Sequence, residues 1–152
     1  MSEILDQIPS PCFVLEESKL IKNLEKLAYV QEKAGIKVIL ALKGFAMFST
    51  FPLVKQYLPG TTASSLNEAR LGYEEFGEEV HAYSPAYRPD EFNQILHYCN
   101  HITFNSFHEW SRFREQVQQS GKDVSCGMRI NPEYSEVAAD VYNPCIPGSR
   151  LG

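Results

Sequence analysis

The strongest constraint on the fold is an alternation. Short apolar or β-branched runs recur along the chain at Cys12–Leu15, Lys37–Leu42, Thr61–Ala63, Val80–Tyr83, His101–Phe104 and Val124–Ile130, and helical stretches lie between most of them. Strands alternating with helices at this spacing predict βαβ units and a parallel sheet. Strands buried on both faces read as continuous apolar runs, and Val38–Leu42 is such a run. The first helix spans Ser18–Ala34, with Leu20, Ile21, Leu24, Leu27, Ala28 and Gln31 on one face, Ser18 as its cap and Gly35 as its stop. Further helices are predicted over Phe51–Leu58, Asn67–Phe76 (ending at Gly77), Pro89–Tyr98 and Ser106–Gln119. No G-x-G-x-x-G follows any strand, so a dinucleotide-binding fold has no support. A complete (β/α)₈ barrel needs about 250 residues. A chain of 152 residues can therefore supply only part of one.

Composition narrows the function. A net charge of -5 argues against a nucleic-acid partner, which needs a basic face for phosphates. No uncharged apolar run approaches the roughly 18 residues of a membrane span. Met1–Asp6 lack a basic stretch followed by an apolar one, so no secretory leader is expected. Cys12, Cys99, Cys126 and Cys145 are widely and irregularly spaced, which fits reduced thiols in a cytoplasmic protein better than a disulfide framework.

Three positions could carry chemistry. Lys43 follows the apolar run directly and precedes Gly44-Phe45. A lysine at the C-terminal end of a buried parallel strand points to the face where such folds do chemistry. Desolvation there would favour the neutral amine that condenses with an aldehyde, and Gly44 would let a bulky ligand approach. The bland alternative is a lysine that simply leaves the strand for water. Ser65 and Glu68 form an S-x-x-E capping box, which by itself accounts for both residues; the alternative for Glu68 is a ligand-facing carboxylate. Arg129, in the last apolar run, needs an acceptor partner, either a structural carboxylate or a ligand. No metal site is expected. His97 and His101 have a ligand-like spacing, but a helix ends between them and no second cluster completes a set. The aromatic set from Tyr83 to Phe113 is read as core, and Glu74-Glu75 with Glu78-Glu79 as a solvated helix end.

Together the segments ALKGFAM (Ala41–Met47), SSLNEARLGYEEFG (Ser64–Gly77), VHAYSPAY (Val80–Tyr87), ITFNS (Ile102–Ser106), GMRINPEYSEV (Gly127–Val137) and YNPCIPGSRLG (Tyr142–Gly152) resemble the carboxynorspermidine (carboxyspermidine) decarboxylases. These are relatives of the alanine racemase and ornithine decarboxylase-like enzymes that use pyridoxal 5'-phosphate. The resemblance runs through essentially the whole chain in order. It implies an α/β fold in which residues 1–152 are the N-terminal portion of a pyridoxal-phosphate-binding (β/α)₈ barrel, left incomplete. It implies that Lys43 carries the cofactor, that Glu68 matches a glutamate near that lysine, and that Arg129 matches an arginine approaching the cofactor. The substrate would be a carboxylated polyamine, decarboxylated to norspermidine or spermidine, and the complete enzyme a homodimer. Ser149–Gly152 match a further family segment. Thr62 stands where relatives often carry aspartate, so that position offers Lys43 no acidic partner.

The resemblance also implies features that the 152 residues do not contain: further barrel strands, a glycine-rich phosphate loop, an acidic partner for the pyridine nitrogen, a histidine over the ring, and a β domain. A fragment without activity of its own is therefore expected, with an exposed sheet edge prone to association. Two other readings stay open: a decarboxylase or racemase of amino acids on the same fold, and a non-catalytic α/β interaction module.

Overall fold

The computed structural model describes residues 7–152; Met1–Asp6, where no secretory leader is expected, lie outside the described residues. Five strands form one parallel sheet in the order β1-β2-β3-β4-β5. They are β1 (Leu40–Ala41), β2 (Gly60–Ala63), β3 (Glu79–Tyr83), β4 (His101–Phe104) and β5 (Ser125–Met128). Each strand pairs with the next one in sequence, so the sheet never reverses direction as a doubly wound sheet does. The connecting helices are α1 (Glu17–Ala34), which precedes β1, then α2 (Phe51–Val54), α3 (Leu66–Leu71), α4 (Phe92–Tyr98) and α5 (Phe107–Gln119).

Among the described residues only one sheet face is covered. Thr61, Ala63, Val80, Ala82, Ile102 and Phe104 alternate along β2–β4 as the buried set. Ala63, Val80, Ala82, Ile102 and Phe104 pack with Ala69, Phe92, Ile95, Leu96 and Phe113 from the helices. Phe92 and Phe113 stack at 4.1 Å at the centre of this layer. A second cluster, Leu24, Leu42, Phe51, Val54, Leu58 and Phe76, holds α1 and α2 against β1. The opposite face presents Thr62, Glu79, His81, Tyr83, His101 and Thr103, none of them fully buried. Sequential parallel strands with helices on a single face are part of a barrel wall. The expectation of strands buried on both faces is corrected: the polar alternation of Glu79, His81 and Tyr83 marks an uncovered face.

Local details depart from the sequence reading in ways that have physical causes. Cys12–Leu15 forms no strand; no neighbouring strand pairs with it among the described residues, and Phe13 and Val14 are exposed. The run Lys37–Leu42 shortens to Leu40–Ala41, extended by Leu42 N donating to Thr62 O at 3.1 Å. Helix α1 begins at Glu17 with Glu16 at its cap position, so Ser18 does not cap it. Gly35 ends α1 at φ 63, a left-handed conformation that suits glycine. On the apolar face Leu24 is buried, but Leu27 is exposed. The inward Gln31 instead ties the loops: its amide donates to Tyr57 O at 2.9 Å and its carbonyl accepts from Val38 N at 2.8 Å. Pro89 lies in a turn before α4 rather than in its first turn. Helix α3 runs into a π-helical turn, Gly72–Phe76, that closes at Gly77. A side chain at Gly72 would collide with Thr61 Oγ1, so this glycine lets the helix lie against β2.

Candidate active site at the C-terminal ends of the strands

Because all five strands are parallel, their C-terminal ends share one rim of the sheet. There the chain leaves β1 at Leu42-Lys43, β2 at Ser64, β3 at Ser84, β4 at Asn105 and β5 at Arg129. Lys43 lies in a tight turn in which Gly44 N and Phe45 N both donate to Ala41 O, at 2.9 and 3.0 Å. Its side chain is exposed, as in the reading of a lysine that leaves the strand for water and not in that of a desolvated amine. The reason lies in the fold: Lys43 leaves an outermost strand on a rim with no covering layer. Ala41 and Thr62, partners in the β1–β2 register, keep the neighbourhood of Lys43 small-sided.

Glu68 does what the capping box predicts. Ser65 Oγ accepts from Glu68 N at 3.2 Å, and Glu68 Oε2 accepts from Ser64 N at 2.6 Å. The carboxylate thus fastens the β2–α3 junction, one strand away from Lys43. A matching box, not noticed in the sequence, closes the β4–α5 junction. Ser106 Oγ accepts from Glu109 N at 3.2 Å, and Glu109 Oε2 accepts from Asn105 N at 2.9 Å. The signal was available: Thr62-Ala63-Ser64-Ser65-Leu66-Asn67-Glu68 and Thr103-Phe104-Asn105-Ser106-Phe107-His108-Glu109 share the pattern T-x-x-S-x-x-E.

Arg129 sits one residue past β5, with its N donating to Phe104 O at 2.9 Å. β5 is largely exposed, so Arg129 is not the buried-strand arginine expected from the sequence. Its guanidinium carbon lies 5.3 Å from the centre of the Tyr83 ring, a cation–π contact. Tyr83 OH donates to Asn105 Oδ1 at 2.7 Å, and the same oxygen accepts from Gly152 N at 2.9 Å. Asn105 Nδ2 donates to Arg150 O at 2.8 Å, which brings the segment ending Ser149–Gly152 to the rim. Asn105, Ser106, Met128, Arg129, Asn131 and Gly152 help to line a shallow cavity of about 290 Å³ there. Tyr83 and Asn105 are the residues that sequence reasoning missed: Tyr83 was assigned to the core, and only the β3–β4 register reveals the pair.

The rim therefore offers an accessible primary amine beside small residues, and a guanidinium held over an aromatic ring. An amine suits covalent capture of an aldehyde, and a planar cation suits an anionic or aromatic group. This donor set fits a phosphorylated aromatic aldehyde. The sheet brings Arg129, Tyr83 and Asn105 together, whereas Lys43 and Arg129 leave from its two outermost strands.

No family model matches the chain. It is 55% identical over 148 residues to a carboxyaminopropylagmatine decarboxylase of Synechocystis sp., covering 97% of this chain and 38% of that protein. It is 44% identical over 147 residues to a carboxynorspermidine/carboxyspermidine decarboxylase of Campylobacter jejuni, covering 97% of this chain and 37% of that protein. Among solved structures, the fold is similar to a Campylobacter jejuni carboxynorspermidine decarboxylase complexed with norspermidine. The TM-score is 0.81 and the identity 41%, over 95% of this chain and 36% of that one. The chain thus spans well under half the length of the proteins it matches, and a partial barrel fits that share. Over almost its whole length, in sequence and in fold, this chain is similar to part of the carboxynorspermidine/carboxyspermidine and carboxyaminopropylagmatine decarboxylases.

Proposed function

We propose that the protein to which this chain belongs is a pyridoxal 5'-phosphate-dependent carboxy-lyase that decarboxylates a carboxylated polyamine, with residues 1–152 as the N-terminal part of its barrel domain. The observation that supports this reading best is identity of 41–55% to named decarboxylases over 95–97% of the chain. When bound, the cofactor supplies the electron sink that loss of carbon dioxide requires. Lys43 Nζ is the attachment point for its aldehyde. Arg129 offers guanidinium donors toward its ring from the end of β5. Glu68 keeps the Ser64-Ser65 loop beside Lys43 in one conformation.

Barrel closure makes this division of labour workable. Along a flat sheet, four strand spacings of about 4.8 Å would separate Lys43 and Arg129 by about 19 Å. In an eight-stranded barrel, strands four apart stand opposite each other, so both side chains face one mouth, with Tyr83 on the wall between them. A closed mouth would also exclude the water that now surrounds Lys43. The complete enzyme is expected to be a homodimer in the cytoplasm, and among the described residues no helix is long and apolar enough to cross a membrane.

Substrate choice divides the relatives. Carboxynorspermidine and carboxyspermidine end in an amine, whereas the relative at 55% identity is named for a substrate ending in a guanidino group. The higher identity favours carboxyaminopropylagmatine. The test is twofold. Borohydride reduction with pyridoxal phosphate, followed by peptide mapping of the full-length protein, is expected to label the peptide containing Lys43. Absence of that label would remove the cofactor assignment. Release of carbon dioxide from the three carboxylated polyamines, measured in parallel, is expected to give the highest kcat/KM on carboxyaminopropylagmatine. A preference for carboxynorspermidine would reverse the substrate choice and leave the reaction class intact.

A further inference from the structure

The uncovered sheet face carries a second group of functional side chains at its other end. Glu79 is the first residue of β3, His101 is the first of β4, and His81 is the register partner of His101. Residues two apart on a strand share a face, so Glu79 and His81 project together, and the parallel register sets His101 beside His81. One carboxylate oxygen and one nitrogen from each imidazole all lie within 4.8 Å of one another. The three side chains are half-buried. Tyr83, at the rim, is two residues further along β3, about 7 Å from His81, so this group stands apart from the candidate active site.

We propose that Glu79, His81 and His101 bind one divalent transition-metal ion of the zinc or cobalt class. Two imidazoles and a carboxylate are a ligand set such ions accept, with the remaining position open to water. The carboxylate is already oriented for the task. Lys37 Nζ holds Glu79 Oε1 at 2.6 Å, while Oε2 faces His81 Nε2 at 3.4 Å. Lys37 is thus an outer partner for the carboxylate, whose second oxygen meets His81. His81 and His101 stack at 4.0 Å with 12° between their planes. Parallel rings do not aim their lone pairs at one point. The ion therefore requires both rings to splay by rotation about χ2. Sequence spacing tested His101 against His97; strand register pairs it with His81.

The test is a titration of tag-free full-length protein with Co2+ near neutral pH, read by visible absorption, alongside Zn2+ titration followed by NMR of the imidazole nitrogens. One equivalent is expected, with resonances of His81 and His101 moving while those of His97 and His108 stay in place. His101→Asn and Glu79→Gln are each expected to weaken binding at least tenfold, and the double substitution His97→Gln with His108→Gln to leave it unchanged. The NMR readout on the unsubstituted protein decides the matter even if a variant fails to fold. Three results would overturn the site: no uptake at millimolar Co2+, shifts confined to His97 or His108, or a near-ultraviolet thiolate band that puts the ion on a cysteine. None of these outcomes depends on Lys43 or on decarboxylation.

Discussion

The β2–α3 and β4–α5 junctions share one local design and differ in what surrounds it. Both begin with threonine on the uncovered face, both cap their helix with serine, and both use a glutamate to reach back to an amide before the cap. At β2–α3 the strand ends in the small Ala63, and Glu68 is half-buried with its carboxylate accepting from Ser64 N. At β4–α5 the strand brings Phe104, and Glu109 is only 8% exposed. Glu109 Oε1 also accepts from Tyr87 N at 2.8 Å, so this carboxylate ties β4–α5 to the loop after β3. The same motif is a local cap in one place and a tertiary tie in the other, and the apolar residue at the strand end marks the difference.

The largest effect that would test this contrast is removal of Phe104. Its ring is fully buried and meets Tyr87 at 5.9 Å, Phe92 at 6.0 Å and Trp110 at 5.3 Å. Truncation of such a residue to alanine costs about 3–5 kcal/mol through lost burial and an unfilled cavity. Urea unfolding of Phe104→Ala should show a loss in that range. A loss below about 1 kcal/mol would mean that the β4 end is no better packed than β2.

The glutamates come next. Glu109→Ala leaves two inward amides, those of Asn105 and Tyr87, without their charged acceptor, for an expected loss of about 3 kcal/mol. Glu68→Ala removes one bond at a partly solvated junction and should cost about 1 kcal/mol. Equal losses in the two variants would erase the distinction between cap and tie.

Much of this was legible in the chain. The β2, β3 and β4 positions follow from apolar runs, and the ends at Gly35 and Gly77 from glycine after a periodic stretch. The Ser65–Glu68 capping box is legible in the sequence, and the cap is the role its geometry fulfils. What escaped notice depends on register and on neighbours that no local pattern encodes. Tyr83 reads as one more core aromatic until β3 is laid beside β4, when it meets Asn105 and Arg129. Glu79 reads as the tail of a solvated acidic cluster until Lys37 reaches it from far along the chain. The sequence leaves Lys43 open between a desolvated amine and a lysine that leaves the strand for water, because burial at the end of a strand depends on what covers that rim. Cys12–Leu15 shows the converse, since β-branched and apolar composition makes a strand only where a pairing edge is supplied.

Two smaller effects sharpen the comparison. The serine caps are alike in geometry, each accepting at 3.2 Å, so Ser65→Ala and Ser106→Ala should each cost about 1 kcal/mol. Near-equality here, beside unequal glutamates, would locate the difference in the carboxylates alone.

The smallest expected change has the opposite sign. Thr61 precedes the motif threonine of β2 as Ile102 precedes that of β4, and among the described residues its buried Oγ1 has no hydrogen-bond partner. A buried hydroxyl that makes no bond has lost its water and gained nothing in return. Thr61→Val keeps the branched shape, which Gly72 accommodates by lacking a side chain, and removes that penalty. Thermal or urea unfolding should show a gain of about 0.5–1 kcal/mol. A loss instead would mean that the hydroxyl finds a partner in solution and that β2 is better satisfied than its light packing implies. The weaker of the two junctions would then owe its weakness to Ala63 and the exposure of Glu68 alone.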